Sequence, residues 1–373
     1  MIQTIDVAIA GGGPAASAAA LTLARHGLSC AIIERREDEG AKPGESLPPS
    51  ARPLLAELGV GELLTDGHLP CHGNRSLWDS DDIDELSFEL TPYGHGWHID
   101  RRRFERLLID RALDAGATRM TRTNIENMER DGDTWKLTLD RGELRARFLL
   151  DATGRASFIA RRLGAQRIYS EALQIAYVWF LITDDEPDRD SFTLVESERH
   201  GWWYSALLPH RQLTIAFMTD PSTPAPALPP AHTRQRLAAR EYRVTSAMTV
   251  DAAGSRLDRV TGDRWAAIGD AAAAWDPLSS YGITAALATG VHAAEAIVRN
   301  DFHAYEREVE TMWSAYSAMR RDYYASETRW AESPYWMKRA KLAQAVPEEK
   351  RGLLRQLEKG SGIAVDRDHR MAR

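Results

Sequence analysis

The sequence is short of cysteine, of lysine and of long apolar runs. It has two cysteines in 373 residues, Cys30 and Cys71, and this pair offers neither the spacing of a metal site nor the count of a disulfide framework. No apolar run approaches the roughly 18 residues that a membrane-spanning helix needs. No basic signal-peptide segment precedes the first strand-like run. These absences exclude a disulfide scaffold, and they predict a cytoplasmic protein with no bound metal and no membrane partner.

The charge balance is mildly acidic and the cations are mostly arginine. The formal net charge is -7, and only six lysines occur, at positions 42, 136, 338, 341, 350 and 359. A chain without a basic footprint is not expected to have a nucleic-acid partner. A length of 373 residues indicates one large intertwined unit or two domains that share a core, and such a chain can bury a large ligand.

A dinucleotide-binding fingerprint opens the chain. Residues 5–10 form an apolar, strand-like run, and Gly11-Gly12-Gly13-Pro14-Ala15-Ala16 leads from it into a helical run over residues 17–27. In G-x-G-x-x-A, the first glycine permits the tight turn and the second lets the backbone approach a pyrophosphate. The small residue at the end lets helix and strand pack closely, with the helix N-terminus facing the phosphates.

The next strand ends in an acidic residue at the expected distance. Residues 29–33 form a second apolar run that ends in Glu34, followed by Arg35. A carboxylate about 20 residues after the glycines accepts the ribose hydroxyls of an adenine nucleotide, and it argues against a 2′-phosphate. A solvated strand end is the alternative interpretation. The order of strand, glycines, helix, strand and acid favours the nucleotide site.

Two further segments lead towards the same layer. Gly44-Glu45-Ser46 lies in a loop rich in proline and glycine, which could also be a plain connector. Asp100 is a natural N-cap for a helix that runs to Ala112 and begins with three arginines. Because arginines oppose the dipole in a first helical turn, we expect one of them to contact a bound pyrophosphate and the others to be solvated.

The later strand signals end at small and acidic residues. An apolar strand over residues 147–151 ends in Asp151-Ala152-Thr153-Gly154, where Gly154 allows close approach of a ligand. Another strand, over residues 265–268, leads into Gly269-Asp270 and then into a helix over residues 283–299 that is rich in alanine, glycine and threonine.

Between these motifs the pattern changes to an antiparallel sheet. Four strands are predicted over residues 174–182, 192–196, 201–208 and 212–218, and a helix over 231–242. The aromatic residues of this region belong to the core or line a pocket for a planar substrate; they are Trp179, Trp202, Trp203, Tyr204 and Phe217. The region from residue 301 onward is predicted to be helical. Its aromatic residues could form core or a pocket lid.

Taken together and in order, these motifs resemble the FAD-dependent monooxygenases and halogenases that are built like aromatic hydroxylases. The resemblance is carried by Gly11-x-Gly13-x-x-Ala16 with Glu34, by Arg101 three residues before Phe104, by Asp151-Ala152-Thr153-Gly154, and by Gly269-Asp270 with Asp276-Pro277 and Gly282. It implies an α/β fold with a three-layer FAD-binding domain like that of glutathione reductase, an antiparallel-sheet substrate domain and C-terminal helices. The implied ranges are 1–75, 97–165 and 255–300 for FAD, 76–96 and 166–254 for substrate, and 301–373 for the helices.

The resemblance also implies which residues contact FAD. The aspartate that matches Asp270 holds the ribityl chain, Arg101 matches a cofactor-contacting arginine, and the segment after Pro277 borders the flavin ring. The residues expected at the cofactor are Gly11, Gly13, Pro14, Ala15, Ala16, Glu34, Arg35, Ser46, Arg101, Asp151, Gly154, Gly269, Asp270, Pro277, Tyr281, Gly282 and Ile283.

A closer similarity is to the branch that holds tryptophan halogenases and the flavoproteins that mature tryptophan-derived quinone cofactors. It is carried by Gly44-Glu45-Ser46, by Asp276-Pro277-Leu278-Ser279-Ser280-x-Gly282, and by Arg329-Trp330 before Ser333-Pro334-Tyr335-Trp336. The second group hydroxylates a tryptophan within a partner polypeptide. Two departures bear on halogenation: no lysine lies between Lys42 and Lys136, where the halogenases carry their relay lysine, and the W-x-W-x-I-P motif is replaced by Gly201-Trp202-Trp203-Tyr204 with a distant Pro209.

The leading functional hypothesis is a flavin monooxygenase that hydroxylates an electron-rich aromatic, with the indole of tryptophan, free or in a peptide or protein, as the substrate. FAD would be reduced by NAD(P)H directly or by a separate flavin reductase. O2 would be the co-substrate, and the flavin C4a-hydroperoxide that it forms with the reduced flavin would be the oxidant. The candidate catalytic residues are Glu45, His72, His98, Pro277, Ser279 and Ser280. A halogenase with another relay residue and a non-catalytic flavoprotein that binds a precursor peptide are the alternatives.

Overall fold

The computed structural model describes residues 4–37, 40–65, 67–169, 172–186 and 190–343. The helical region predicted over residues 301–373 therefore lies outside the described residues from residue 344 onward. The helices are α1 Pro14–Arg25, α2 Arg52–Glu57, α3 Arg101–Asp114, α4 Phe158–Arg162, α5 Ala231–Ala238, α6 Gly282–Arg299, α7 Phe302–Ser326 and α8 Pro334–Ala343. The strands are β1 Thr4–Ala10, β2 Cys30–Glu34, β3 Ser46–Leu47, β4 Leu69–Cys71, β5 Gly73–Leu77, β6 Asp84–Ser87, β7 Gly96–His98, β8 Thr118–Thr121, β9 Ile125–Asp131, β10 Thr134–Leu139, β11 Gly142–Asp151, β12 Arg167–Ile168, β13 Ile175–Ile182, β14 Phe192–Glu198, β15 Gly201–Leu208, β16 Gln212–Thr219, β17 Arg243–Asp251, β18 Ser255–Leu257, β19 Thr261–Gly262, β20 Trp265–Ala267 and β21 Ala273–Ala274.

The first sheet is the parallel layer predicted from the opening motif. Its strand order is β19-β20-β11-β1-β2-β8, and an antiparallel ribbon of β9 and β10 continues from the first half of β11. In register, Ala10 lies beside Asp151 on one side and Ile33 on the other. The strands are buried because both faces are covered, as their continuous apolar runs predict.

Small residues allow two helices to pack closely on this sheet. Helix α1 contacts both α3 and α6. A Cβ atom added at Gly290 in α6 would lie 2.4 Å from the carbonyl oxygen of Ala15 in α1. The alanine-rich sequences of α1 and α6 therefore bring the two helix backbones into direct contact.

The second sheet has strand order β17-β13-β16-β15-β14-β5-β6. The four predicted strands are present, and all neighbouring pairs are antiparallel except β14 with β5, which is parallel. The four predicted strands pair antiparallel with one another, as expected. Strand β5, from a chain segment more than a hundred residues upstream, adds the one parallel pair of this described sheet. Strand β17 was missed, although Val244, Met248 and Val250 lie at even spacing among its polar residues. The helix predicted over residues 231–242 ends at Ala238.

The C-terminal helices form core rather than a loose lid. Tyr324 of α7 and the pair Tyr335 and Trp336 of α8 are buried against Trp202 of the second sheet. Trp313 and Tyr316 of α7 pack in a separate cluster with Trp275. Cys30 and Cys71 are both buried and free. Within the described part of the chain, every helix is too short or too polar to cross a bilayer.

We predict that Gly290→Ala destabilises the protein. In an exposed helix the change would stabilise by about 1 kcal/mol. Here the added Cβ meets the Ala15 carbonyl, so we expect a loss of roughly 1–3 kcal/mol from overpacking. The melting temperature of the cofactor-free protein is the measurement.

Gly282→Ala is the matched control, because it lies in the same helix and its Cβ would meet no atom within 4 Å. The control should melt at or slightly above the wild-type temperature. A Gly290→Ala protein as stable as this control would show that the two helices do not depend on close backbone contact.

Candidate active site

A cavity of about 500 Å³ lies between the two sheets. Its walls come from the turn before α1, the loop over residues 42–46, the segment over residues 268–270, the start of α6, and the inner face of the second sheet. The motifs that the sequence separates by up to 270 residues thus meet at one place.

The glycine-rich turn divides its roles between two glycines. Gly11 has φ of 102°, and an added Cβ would lie 2.2 Å from the Ala152 carbonyl oxygen. Gly13 lines the cavity, and its added Cβ would meet no atom within 4 Å. No side chain caps α1, which begins at Pro14 and has Gly13 as its N-cap residue. The fold of the turn itself therefore requires glycine at position 11. Gly13 instead leaves open space in front of a helix N-terminus, which suits a phosphate.

Glu34 is held beside this turn. Its Oε2 accepts the Gly12 N–H at 2.7 Å, and its Oε1 accepts the Arg36 N–H at 2.8 Å. Glu34 and the exposed Arg35 do not line the cavity. They lie at the end of the turn that the fingerprint assigns to the adenosine, and their contacts with a nucleotide stay predictions.

Asp151 does not reach the cavity, which corrects its expected place at the cofactor. The residue is fully buried, and its carboxylate accepts hydrogen bonds from the N–H and hydroxyl of Thr153 and from the N–H of Ala160. Burial raises the pKa of this carboxyl, and these hydrogen bonds oppose the increase. Asp151 instead fixes the loop that brings Ala152 and Gly154 to the cavity wall.

Arg101 joins α3 to the loop over residues 42–46. Its Nε donates to Glu105 Oε1 at 2.6 Å and its Nη1 to the Gly44 carbonyl at 2.9 Å. Lys42 donates to the other oxygen of Glu105, also at 2.6 Å. All four of these residues line the cavity. The sequence interpretation missed Lys42 and Glu105, because nothing in their separation along the chain indicates that they pair.

Asp270 faces the cavity next to a second arginine that the sequence interpretation missed. Arg155 places its Nε 3.8 Å from the Asp270 carboxylate and donates to the carbonyls of Ala253 and Trp275. Burial raises the pKa of the Asp270 carboxyl, and the positive charges of Arg155, Arg101 and Arg167 act in the opposite direction. A carboxylate in this position can accept hydroxyl hydrogen bonds from a polyol chain.

The segment that starts at Asp276 closes one end of the cavity. Pro277, Ser280, Tyr281, Gly282 and Ile283 line it. Ser280 takes the left-handed conformation at φ of 49°, which turns the chain into α6, whose N-terminus has no side-chain cap. Ser279 does not line the cavity: its hydroxyl donates to the Asp276 carbonyl and accepts the Tyr281 N–H. It shapes the turn and does not face a ligand.

The opposite end carries a buried polar group. Glu45 lines the cavity and is almost fully buried; its Oε2 accepts the Gly44 N–H at 3.0 Å, while Oε1 has no hydrogen-bond partner. Burial raises the pKa of the Glu45 carboxyl to about 7. Tyr204 of the second sheet lies close to Glu45 and also lines the cavity.

A hydrogen-bonded chain leads from this end into the protein. Tyr204 Oη lies 2.8 Å from Ser46 Oγ, Ser46 Oγ lies 3.4 Å from Thr193 Oγ1, and Thr193 Oγ1 lies 2.9 Å from His98 Nε2. His98 is buried behind the cavity wall, and its burial lowers its pKa to about 4. It can contact a ligand only through this chain, so its expected direct role is corrected.

His72 lies elsewhere. Its imidazole is 3.4 Å from the Glu89 carboxylate at the surface and packs against His95, and it does not line the cavity. The structure therefore removes His72 from the candidate catalytic residues. Of the predicted sheet aromatics only Tyr204 lines the cavity; Trp202 and Trp203 are core. Trp275, next to Asp276, is a lining residue that the sequence interpretation did not single out.

The residues present fit an FAD molecule. Gly13, Gly154 and Gly282 all line the cavity, and an added Cβ at each would meet no protein atom within 4 Å, so the backbone leaves room for close approach. The uncapped N-termini of α1 and α6 face the same cavity and suit the pyrophosphate and an electron-rich ring edge respectively. Among the residues that the structure describes, no three His, Cys, Asp or Glu side chains form a metal-binding group.

Comparison with known proteins agrees with this fit. The FAD binding domain family matches residues 4–323. The FAD-dependent oxidoreductase LodB of Marinomonas mediterranea is 27% identical over 366 residues, covering 91% of this chain and 97% of LodB. The 1H-pyrrole-2-carbonyl-[peptidyl-carrier protein] chlorinase of Pseudomonas fluorescens is 27% identical over 355 residues, covering 80% of this chain and 77% of the chlorinase.

A solved structure shares the fold. The peptidyl tryptophan dihydroxylase QhpG, essential for tryptophylquinone cofactor biogenesis, superimposes with a TM-score of 0.71 at 22% identity, covering 91% of this chain and 79% of QhpG. The α/β class and the FAD-binding fold expected from the sequence are confirmed.

The different roles of the two glycines lead to a prediction. Gly13→Val should fold with a melting temperature near that of the wild-type apoprotein but lose FAD affinity, because its side chain would project into the cofactor space. Gly11→Val should lose stability even without FAD, because its side chain would overlap the Ala152 carbonyl. Thermal melting of the apoproteins and titration with FAD measure both effects; equal destabilisation by both changes would contradict the assignment.

Glu45 gives a prediction about pH. At pH values between the ordinary pKa of 4.5 and the raised value of about 7, Glu45 is protonated in the folded state and ionised in the unfolded chain. The stability that this proton contributes is therefore present at low pH and is lost as the pH rises through this window. Between about pH 4.5 and about pH 8, the free energy of unfolding of the apoprotein should fall by on the order of 3 kcal/mol relative to that of Glu45→Gln.

The comparison uses chemical denaturation of both proteins at each pH. His98, with its lowered pKa, contributes with the opposite sign in both proteins and cancels in the difference. Parallel pH profiles for wild type and Glu45→Gln would show that Glu45 is ionised throughout.

Proposed function

The chain belongs to the FAD binding domain family and is an FAD-dependent enzyme of the flavin-dependent monooxygenase and halogenase group, and we propose that it hydroxylates an electron-rich aromatic ring, namely the indole of tryptophan, free or within a peptide or protein. Bound FAD, once reduced, supplies the activation of O2 for transfer to an aromatic carbon. The protein's task is to hold the cofactor, place the ring carbon and exclude water.

The cofactor would be held along one side of the cavity. Gly13 and the start of α1 would bind the pyrophosphate, Glu34 the ribose, and Asp270 the ribityl hydroxyls. Arg101 would reach the cofactor from α3, since it already lies on the cavity wall. Gly282 and Ile283 would present the N-terminal N–H groups of α6 to the edge of the flavin ring, where they stabilise negative charge.

The observation that carries the proposal is the remaining wall of the cavity. Beyond Pro277 the cavity continues along the second sheet, where Ala176, Val178, Ala216 and Met218 leave an apolar surface. Such a surface suits a flat aromatic ring. We propose that this sheet is the substrate-binding part of the protein, and that Tyr204 and Glu45 supply its polar contacts.

Glu45 is the best candidate for proton exchange with the substrate. A carboxyl with a pKa near 7 can gain or lose a proton at physiological pH, which is the condition for general acid–base catalysis. Its Oε1 lies without a partner in the cavity wall, so it can accept a hydrogen bond from an N–H donor such as indole. His98 would influence this group only through Thr193, Ser46 and Tyr204.

Halogenation is the alternative function, supported by similarity to the chlorinase. The cavity contains one lysine among its described lining residues, Lys42, and its ammonium group pairs with Glu105. This pairing places the lysine beside Arg101, on the side assigned to the cofactor. We therefore favour hydroxylation, in which no lysine relay is required. The similarity of fold to a peptidyl tryptophan dihydroxylase supports a tryptophan in a peptide as the substrate.

Product mass distinguishes these functions. The protein, FAD, NADH, a flavin reductase and O2 are incubated with tryptophan, with N-acetyltryptophanamide and with a tryptophan-containing peptide encoded near the gene, each with and without bromide. We expect a gain of one or two oxygen atoms on the indole and no bromine. A reaction that also proceeds without the reductase would show direct use of NADH.

The controls identify the alternatives. A brominated product that appears only with bromide would establish a halogenase. Gly13→Val, which is expected to lose FAD affinity, gives the background rate of O2 consumption. A wild-type protein that binds FAD and the peptide but consumes O2 no faster than this background would indicate a non-catalytic flavoprotein that binds a precursor peptide.

A further inference from the structure

A buried carboxylate lies directly before the segment that closes the cavity. Asp276 is 1% exposed. Its Oδ1 accepts the Leu278 N–H at 3.0 Å, and its Oδ2 lies 2.9 Å from Arg320 Nε, 2.9 Å from Tyr324 Oη and 3.1 Å from Gln174 Nε2. The side chain of Arg320 is 3% exposed, so the ion pair is almost completely removed from water.

The partners of Asp276 outside its own turn come from two parts of the fold, and one of them leads to a third. Gln174 directly precedes β13 of the second sheet, and its Oε1 accepts the hydroxyl of Tyr335 in α8 at 2.7 Å. Arg320 and Tyr324 belong to α7. Tyr316, one turn earlier in α7, accepts the Asp276 backbone N–H at 2.8 Å. One carboxylate therefore connects the cavity segment to the second sheet and to the C-terminal helices.

The position of Asp276 determines where the next residues lie. Its side chain caps the short turn Pro277–Ser279, and its carbonyl oxygen accepts both the N–H and the hydroxyl of Ser279. The chain then enters α6 at Gly282 through the left-handed Ser280. A displacement of Asp276 would move the uncapped start of α6, which faces the cavity.

An ion pair this deep is not explained by stability. Removing two charges from water costs about as much as their attraction returns, and an apolar pair of the same volume is often as stable. In some proteins the role of a buried charged group is instead to select one geometry over its alternatives. Precise geometry matters at a flavin site, where the helix N-terminus must meet one edge of the ring.

We propose that Arg320 is a positioning residue of the flavin site: by holding Asp276, it fixes the start of α6 against the edge of the flavin ring. The inference rests on the proposed function only for the placement of the flavin and is independent of the substrate. Helix α7, which lies outside the FAD-binding motifs, would thus help to set the properties of the bound cofactor.

The test compares Arg320→Met with Arg236→Met. Arg236 is the matched control: it is a buried arginine in α5, paired with the carboxylate of Asp190 at 2.5 Å, and neither residue of this pair lines the cavity. The measurements are the melting temperature of each apoprotein, the dissociation constant of FAD, and the visible spectrum and midpoint potential of the bound flavin.

Both variants should lose thermal stability, because each removes a buried cation from its carboxylate partner. Only Arg320→Met should also weaken FAD binding, by about tenfold, shift the flavin spectrum and lower the midpoint potential, since the reduced flavin loses the α6 N-terminus. Arg320→Lys, which keeps the charge, should restore part of each flavin property. Tyr324→Phe, which removes one hydroxyl from Asp276, should give a smaller shift in the same direction. If Arg320→Met does not fold, Tyr324→Phe takes its place in the comparison.

Flavin properties identical to wild type in Arg320→Met would overturn the proposal, as would equal flavin shifts in Arg236→Met. If Arg320→Met does not fold, unchanged flavin properties in Tyr324→Phe would overturn it instead. None of these measurements needs turnover. A wild-type protein that binds FAD but hydroxylates nothing would contradict the proposed function alone and leave this inference to be decided by the variants.

Discussion

The contact between α1 and α6 is the constraint on which the site depends. Each helix begins at the cavity without a side-chain cap, and each carries the positive end of its dipole there. Their backbones meet where Gly290 faces the carbonyl of Ala15. Gly269, in the turn after β20, lies against both helices, because an added Cβ there would be 2.9 Å from the Ala15 side chain and 3.6 Å from that of Ala286. Because the two helices are this close, one ligand can reach both N-termini, one with its phosphates and the other with its ring. Bulkier residues along the seam would separate the two ends of the same cofactor site.

The cavity wall combines cations with buried protonatable groups. Arg101, Arg155 and Lys42 all line it, and they suit the negative charge that a cofactor with two phosphates would bring. Glu45 and Tyr204 line the same cavity, and burial raises the pKa of both, although the charge of Arg101 opposes the increase at Glu45. One cavity thus offers cations to an anionic cofactor and groups whose neutral form is favoured to a neutral aromatic substrate. Glu105 pairs with both Arg101 and Lys42 and so holds these two cations at the loop that also carries Glu45.

Local sequence signals predicted the parts of this protein whose chemistry is local. The turn from β1 into α1, the strand ending in Glu34 and the N-cap at Asp100 each follow from a few adjacent residues, and the structure has all three. Asp151 lies in a recognisable motif, but only the fold shows that its carboxylate supports the loop and does not face the ligand. The pairing of Lys42 with Glu105, the parallel pair of β14 with β5 and the partners of Asp276 join segments far apart in sequence. Such contacts leave no periodic pattern in the sequence, so they could not be predicted from a single sequence.

The network around Asp276 also joins the start of α6 to distant parts of the chain. The glycine-rich turn lies at residues 11–16, whereas Asp276 is held by Arg320 and Tyr324 of α7 and, through Gln174, is linked to Tyr335 of α8. A chain truncated before α7 would keep the phosphate-binding turn but lack every α7 group that holds the segment at the start of α6. The two ends of one cofactor site therefore depend on parts of the chain that lie about 300 residues apart.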